Sequence, residues 1–94
     1  MSTSSDVIHN ESAQRYEIAI DGFQAVAEYR LEDGGRQVFT HTFVPPELRG
    51  KGLAEKLVRR ALEDAQAAGR RVVPACSYVE VFMQRHPEFA SLRA

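Results

Sequence analysis

The chain has 94 residues, of which 44% are hydrophobic and 27% are charged, and its 12 basic and 13 acidic side chains give a formal net charge of −1. A chain of this length supports one modest core, so we expect a single domain over residues 6–94, preceded by a flexible tail at residues 1–5. The small net charge excludes binding to nucleic acid or to an acidic membrane through overall charge, and no run approaches the roughly 18 apolar residues of a membrane span.

Cysteine usage and the start of the chain indicate the compartment. Cys76 is the single cysteine, which excludes an internal disulfide framework and favours a reducing environment. Residues 1–10 are polar and lack the basic and apolar regions of a signal peptide. We therefore expect a cytoplasmic protein that is a monomer or a weak dimer, with no nucleic-acid or membrane partner.

Three segments with apolar residues at every second position predict an antiparallel meander in the first half of the chain. The segments are residues 16–20, 24–31 and 36–44. Asp21-Gly22 supplies a hairpin turn between the first two, and the glycine pair at residues 34–35 supplies the second turn. A short piece around residues 7–8 is a candidate for a further strand ahead of the meander.

The periodicity changes after the two prolines at residues 45–46, because proline cannot donate to a strand ladder. Residues 53–68 follow the i, i+4 pattern of an amphipathic helix, and Gly69 stands at the usual C-cap position. Residues 71–75 then read as a short strand and residues 77–85 as a second helix. Strand, helix and strand form a βαβ unit, which joins parallel neighbours. The predicted fold is α/β (α+β), with a mixed sheet built from the meander, the βαβ unit and a C-terminal helix.

The junction between the third strand and the first helix, residues 49–54, is predicted to bind phosphate. Its sequence is Arg-Gly-Lys-Gly-Leu-Ala, and no Ser, Thr, Asp or Asn precedes the helix to cap it. The first N–H groups of the helix are therefore left for an anion, and the helix dipole favours negative charge there. Ligands of open α/β sheets lie beyond the carboxyl ends of parallel strands, so we expect Val44, this junction and Cys76 at one edge.

The junction does not match two common nucleotide-binding motifs. The Walker pattern fails because Pro45 stands where its first glycine is required and Gly52, rather than Ser or Thr, follows Lys51. The dinucleotide-binding fingerprint fails because Glu55 occupies the place of its third glycine. Nucleoside triphosphate hydrolysis and a Rossmann fold are therefore both disfavoured.

The pattern Arg/Gln-x-x-Gly-x-Gly/Ala, which residues 49–54 satisfy, resembles the acetyl-CoA pyrophosphate loop of the GNAT acetyltransferase superfamily. Together with His41-Thr42, residues 74–78 and residues 86–88, it makes residues 6–92 similar to the small GNAT-like N-acetyltransferases. The resemblance implies a GNAT-like sheet, acetyl-CoA as cofactor and acetyl transfer to an unidentified amine. The alternative is a non-catalytic CoA-binding or regulatory module, because the parts of full-length GNAT enzymes that usually form the acceptor pocket are absent. A third reading is an interaction domain whose loop binds another anion.

The resemblance implies that the loop and the end of the preceding strand hold the cofactor. The candidate cofactor-binding residues are Phe43, Val44, Arg49, Gly50, Lys51, Gly52, Leu53 and Ala54. The loop N–H groups would donate to the diphosphate, and glycine lets phosphate approach the backbone closely. A strand N–H near Val44 would polarise the thioester carbonyl. In the alternative interpretation the glycines only let the chain turn and the two cations are solvated.

Cys76, His41 and Tyr78 are the candidate catalytic residues. Cys76 precedes a helix start, which lowers a thiol pKa, so it is either an acetyl acceptor or a packing residue. His41 alternates with Phe39 and Phe43, which predicts one shared strand face; it is either a core histidine or a base for an ammonium group or for Cys76. The resemblance implies that Tyr78 protonates the departing CoA thiolate, with packing as the alternative. No metal site is predicted.

Overall fold

The computed structural model describes residues 6–94, so the predicted tail at residues 1–5 lies outside the described residues. The strands are β1 (Ile8–Asn10), β2 (Arg15–Ile20), β3 (Phe23–Glu32), β4 (Arg36–Phe43) and β5 (Arg71–Pro74), and the helices are α1 (Leu53–Ala68) and α2 (Ser77–Arg85). They form one sheet in the order β1-β2-β3-β4-β5, antiparallel up to β4 and parallel between β4 and β5. The predicted mixed sheet, βαβ unit and C-terminal helix are therefore confirmed.

Two short 3₁₀ turns complete the described part of the chain. Pro46–Leu48 follows β4, and Pro87–Leu92 follows α2. Neither segment was predicted from the sequence, because one or two turns of 3₁₀ helix are too short to leave a periodic pattern. The first turn carries the chain from the sheet to the start of α1 and buries Leu48 in the core.

Both helices pack on one face of the sheet, where one cluster of buried side chains joins them to the strands. Tyr16 and Ile18 on β2 are fully buried, as are Ala25 and Ala27 on β3, because alternate residues of a strand point to the same face. The apolar stripe of α1 covers them, and Leu57 and its neighbours are also fully buried. The other sheet face, called here the open face, carries the residues that alternate with this buried set.

The two ends of α1 have almost the same backbone conformation. Gly52 at the N-cap has φ +72°, and Gly69 at the C-cap has φ +70°. Both values lie in the left-handed region, which glycine adopts without steric cost. The predicted bounds of α1 are confirmed. It has 16 residues, and in residues 6–94 no helix combines the length and the apolar character required to traverse a bilayer.

A β-bulge in β4 changes which side chains share a face. Tyr29 pairs with Phe39, but the adjacent residue Glu28 pairs with His41, so Thr40 is the extra residue. Phe39 is buried towards the helices, whereas His41 is exposed on the open face. The prediction that His41 shares a face with Phe39 is therefore wrong, and so is the core-histidine interpretation, because one inserted residue inverts the alternation.

The C-terminal segment covers the outer edge of β5. The backbone N–H of Ala94 donates to the carbonyl of Val72 at 2.9 Å, and Arg93 forms an isolated parallel bridge with the same residue. The Arg93 guanidinium also forms two hydrogen bonds with the Glu80 carboxylate on α2, at 2.8 and 3.0 Å. This part of the β5 edge is thus paired, which removes a template for strand addition.

Candidate functional site

A cavity of about 300 Å³ lies where β4 ends and where α1 and α2 begin. Its walls include six of the eight candidate cofactor-binding residues, namely Val44, Arg49, Gly50, Gly52, Leu53 and Ala54. Tyr78 from the first turn of α2 forms part of the opposite wall. The structure therefore brings together most of the residues that the sequence pattern singled out.

The loop on one side of the cavity exposes its backbone. Gly50 and Gly52 have φ values of +81° and +72°, and a Cβ added to either would meet no atom within 4 Å. The first intrahelical bond of α1 is donated by the Lys56 N–H to the Gly52 carbonyl at 3.2 Å, and no side chain caps the helix. The N–H groups of Leu53 and Ala54 precede that bond, so they remain available to a ligand in the cavity.

Arg49 ties the loop to the end of β4. Its Nε donates to the Val44 carbonyl at 3.1 Å, so the guanidinium has a structural contact in addition to its charge. Two other candidates do not line the cavity. Lys51 has an exposed side chain, and Phe43, with 43% of its surface exposed, lies on the open face of the sheet because strand alternation separates it from Val44.

Cys76 occupies the N-cap of α2 and is half-buried. Its backbone N–H donates to the Phe39 carbonyl at 2.9 Å, and its Sγ lies 3.5 Å from Oγ1 of Thr42. Burial raises the pKa of the Cys76 thiol, but hydrogen bonds from the Thr42 hydroxyl and from the backbone N–H groups of Val79, Tyr78 and Thr42 outweigh it, so the pKa is lowered. The Cys76 side chain does not belong to the cavity wall, although it lies beside it.

Thr42 has a role in this site that the sequence analysis did not assign, although the residue forms part of the family resemblance. It pairs with buried Ala27, so its side chain points towards the helices and reaches Cys76. Its backbone N–H also contacts the thiol, which shows that it points from β4 towards the β5 side. The available signal in the sequence was the polar run at residues 40–42, which does not by itself reveal the bulge.

His41 lies on the open face, away from the contacts of Cys76 with Thr42. Its direct cross-strand partner is Glu28, and its ring stacks on Phe43 with the centroids 6.3 Å apart. The structure therefore does not bring His41 and Cys76 together. The expectation that His41 could deprotonate Cys76 directly is wrong. The exposed imidazole and the Glu28 side chain instead stand opposite each other in the register on the open face, with the Phe43 ring beside the imidazole.

Tyr78 is held in its protonated form. Burial raises the pKa of the phenol, the nearby Glu55 carboxylate raises it further, and the Arg85 guanidinium lowers it by less. The hydroxyl is therefore a proton donor at neutral pH and stands on the wall of the cavity. Within residues 6–94, no three or more His, Cys, Asp or Glu side chains are grouped so as to hold a metal ion.

A family model described as GCN5-related N-acetyl-transferase matches residues 15–92 of this chain. Protein NATD1 of Bos taurus is 26% identical over 83 residues, which is 86% of this chain and 74% of that protein. L-amino acid N-acyltransferase MnaT of Escherichia coli (strain K12) is 33% identical over 57 residues, or 60% of this chain, and the match spans 33% of the length of MnaT. The L-methionine sulfoximine/L-methionine sulfone acetyltransferase of Salmonella typhimurium shows the same identity over 57 residues and the same share of its length.

A solved structure shares the fold. The solution structure of a Staphylococcus aureus protein described as GCN5-like superposes with a TM-score of 0.77. The match covers 99% of this chain and 91% of the other, at 21% sequence identity. At this identity the likeness establishes the GNAT-like fold, which confirms the fold expected from the loop motif and the order of elements.

Proposed function

The chain belongs to the GCN5-related N-acetyl-transferase family, and from this premise we propose that it binds acetyl-CoA and transfers the acetyl group to a primary amine. The observation that carries the proposal is the cavity at the start of α1, where uncapped N–H groups and two glycines face open space. Such a site favours a diphosphate because its donors and the helix dipole are both oriented towards the ligand.

The residues of the cavity fit this cofactor. The space beside Gly50 and Gly52 is open where a Cβ would otherwise stand, so a phosphate oxygen can approach the backbone. The N–H groups of Leu53 and Ala54 supply donors, and Arg49 adds positive charge at the same wall. Bound acetyl-CoA would supply an activated acyl thioester, and the remaining chemistry falls to side chains and amides of this chain.

The edge of β4 offers N–H groups for the thioester carbonyl. The Thr42 N–H points towards the β5 side, and alternation along the strand directs the Val44 N–H to the same side. Val44 lines the cavity, so its N–H is the one we assign to the carbonyl oxygen. A backbone donor at this point stabilises the negative charge that develops during acyl transfer.

Proton transfer is assigned to His41 and Tyr78. The amine acceptor must lose a proton before it attacks, and the exposed His41 imidazole on the open face is the side chain that we assign to this role, because imidazole is the commonest general base in enzymes. Tyr78, whose raised pKa keeps its phenol protonated, would donate to the departing thiolate. Glu28, opposite His41 in the register, would attract the ammonium form of the acceptor.

The first acceptors to test are α-amino groups of small amino acids. The names of two relatives specify an L-amino acid and L-methionine sulfoximine or sulfone. The aromatic ring of Phe43 beside His41 and Glu28 offers an apolar contact next to a carboxylate, which suits an ammonium group with an apolar side chain. This acceptor class remains part of the proposal.

A second route would pass the acetyl group through the Cys76 thiolate. Its lowered pKa favours this route, whereas its position outside the cavity wall favours direct transfer, which we propose as the main route. Incubation with isotopically labelled acetyl-CoA followed by intact-mass measurement separates the two. A single added acetyl group that disappears in Cys76→Ala would establish the covalent route and overturn direct transfer.

Calorimetric titration with acetyl-CoA tests the binding step, and release of free CoA thiol in the presence of L-amino acids tests turnover. We expect His41→Gln and Tyr78→Phe to lower turnover about 100-fold or more while the acetyl-CoA affinity stays unchanged. Absence of acetyl-CoA binding would reject the proposal. Unchanged turnover in both variants would reject the assigned roles.

The second candidate is a module that binds acetyl-CoA without turnover. The exposed positions of His41 and Phe43 on the open face favour it, since no described element covers them to form an acceptor pocket. This candidate predicts tight binding of acetyl-CoA with no thiol release for any amine tested. Thiol release above the hydrolysis rate with any primary amine would exclude it.

A further inference from the structure

A second, smaller cavity of about 100 Å³ continues from the first along the groove between the two helices. It shares Glu55 and Tyr78 with the first cavity as common walls. Its other walls come from α2 and the residue that follows it, and include Phe82, Arg85 and His86. The functions assigned above use neither Arg85 nor His86.

The charges around this second cavity leave one cation without a carboxylate. Arg59 lies 3.5 Å from Glu55 and 3.6 Å from Glu88, so it is the guanidinium nearest to both acidic groups. His86 also approaches Glu88, at 3.8 Å. Arg85 forms no hydrogen bond or ion pair with any residue of the described part of the chain, yet it stands on the cavity wall.

The two cavities share a wall, so one extended ligand that carries two separated phosphate groups can occupy both. Tyr78 and Arg85 are two helical turns apart on α2, which corresponds to about 10 Å along the helix axis. The loop at Gly50 and Gly52 faces the first cavity, and Arg85 faces the second. A diphosphate at the loop therefore leaves the second cavity, with Arg85 on its wall, for a further phosphate group of the same ligand.

We propose that the second cavity holds the ribose phosphate monoester of coenzyme A and that Arg85 distinguishes coenzyme A from carriers that lack this phosphate. The inference rests on the proposed function, since it places the nucleotide end of the same ligand. Arg85 has five N–H donors in a planar fork, a geometry that suits a phosphate group. Glu55, at the shared wall, is next to Arg59, which offsets its repulsion of the ligand.

Calorimetric titration of the full chain with coenzyme A and with dephospho-coenzyme A tests this assignment. The wild-type protein should bind coenzyme A about tenfold more tightly than dephospho-coenzyme A, the ratio expected for one charge-assisted contact at a partly exposed site. Arg85→Gln should remove this difference by weakening coenzyme A alone. Arg36→Gln is the matched control, because it removes one exposed positive charge at the opposite end of β4 from the loop.

The outcomes separate this inference from the proposed function. If wild type binds coenzyme A but does not distinguish the two ligands, or if Arg85→Gln weakens both equally, the role of Arg85 is overturned while the cofactor assignment stands. If Arg36→Gln changes the ratio as much as Arg85→Gln, a specific contact is likewise overturned. If wild type binds neither ligand, the proposed function itself is overturned.

Discussion

Two glycines in the same conformation allow the proposed contact of the loop with phosphate to be tested against a matched backbone control. Gly52 has φ +72° and ψ +23°, Gly69 has φ +70° and ψ +27°, and a Cβ at either would meet nothing within 4 Å. A methyl group at each position therefore carries the same left-handed backbone penalty, about 1–2 kcal/mol. Only Gly52 lines the 300 Å³ cavity.

We expect Gly52→Ala and Gly69→Ala to lose equal stability but different amounts of ligand affinity. Each should lower Tm by about 4–8 °C per kcal/mol of lost stability, the relation for domains of this size. The methyl of Gly52→Ala also displaces a phosphate oxygen from the loop N–H groups. Loss of one hydrogen bond to a charged group is worth about 1.5–3 kcal/mol, so acetyl-CoA should bind about 10- to 100-fold more weakly.

Thermal unfolding and calorimetric titration on the same preparations measure both quantities. The Gly69→Ala protein serves as the reference, since its affinity should equal that of the wild type after correction for the fraction folded. Equal acetyl-CoA affinities of the two variants, at equal losses of Tm, would show that the loop at Gly52 does not contact the ligand. Such a result would refute the placement of the diphosphate in the open space beside Gly52.

Three further predictions concern groups around the core. Thr42→Val should raise the pKa of the Cys76 thiol, because it removes the hydroxyl that favours the thiolate, so the pH profile of iodoacetamide alkylation should shift to higher pH. Thr40→Val is the control, since the Thr40 hydroxyl donates to the Glu28 carbonyl instead. An unshifted profile for Thr42→Val would contradict the assignment. Gln37 is 1% exposed, and its side-chain amide has no hydrogen-bond partner among the described residues. Gln37→Met should therefore raise the free energy of unfolding, measured in urea, by about 1–3 kcal/mol, because it removes buried polar atoms that form no hydrogen bond. A lower free energy of unfolding would show that the amide has a partner. Tyr16→Phe removes a 2.8 Å hydrogen bond to the Asp64 carboxylate on α1 and should lower the free energy of unfolding by about 1.5–3 kcal/mol. Equilibrium denaturation measures this loss, and unchanged stability would contradict it.

The elements that the sequence predicted well are those with a repeated local pattern. The bounds of α1 followed from an apolar stripe that ends at Gly69, and the turns between β2, β3 and β4 followed from Asp-Gly and Gly-Gly pairs. The glycine junction before α1 could likewise be predicted, because the absence of a capping residue and the presence of glycine are properties of the sequence itself. Six of the eight candidate cofactor-binding residues line one cavity, five of them from this junction.

The prediction for His41 failed because it assumed unbroken alternation along β4. The bulge at Thr40 is a property of the pairing between β3 and β4, and a single unpaired residue leaves no mark in the periodicity of one strand. The contact between Thr42 and Cys76 spans 34 positions and depends on that same bulge. The second cavity could not be predicted from the sequence either, since its walls combine the first turn of α1 with several residues along α2.

The amino-acid pattern alone determined the strand and helix order, the glycine junction and the uncapped helix start, because these depend on local backbone preference and on the burial of one face. Tertiary structure alone decided that Thr42 reaches Cys76 and that His41 faces outward. It also decided that Arg85 stands beside a cavity without a carboxylate partner among residues 6–94. Such facts depend on which distant residues meet, and the pairing register and helix packing that bring them together are set by the whole fold.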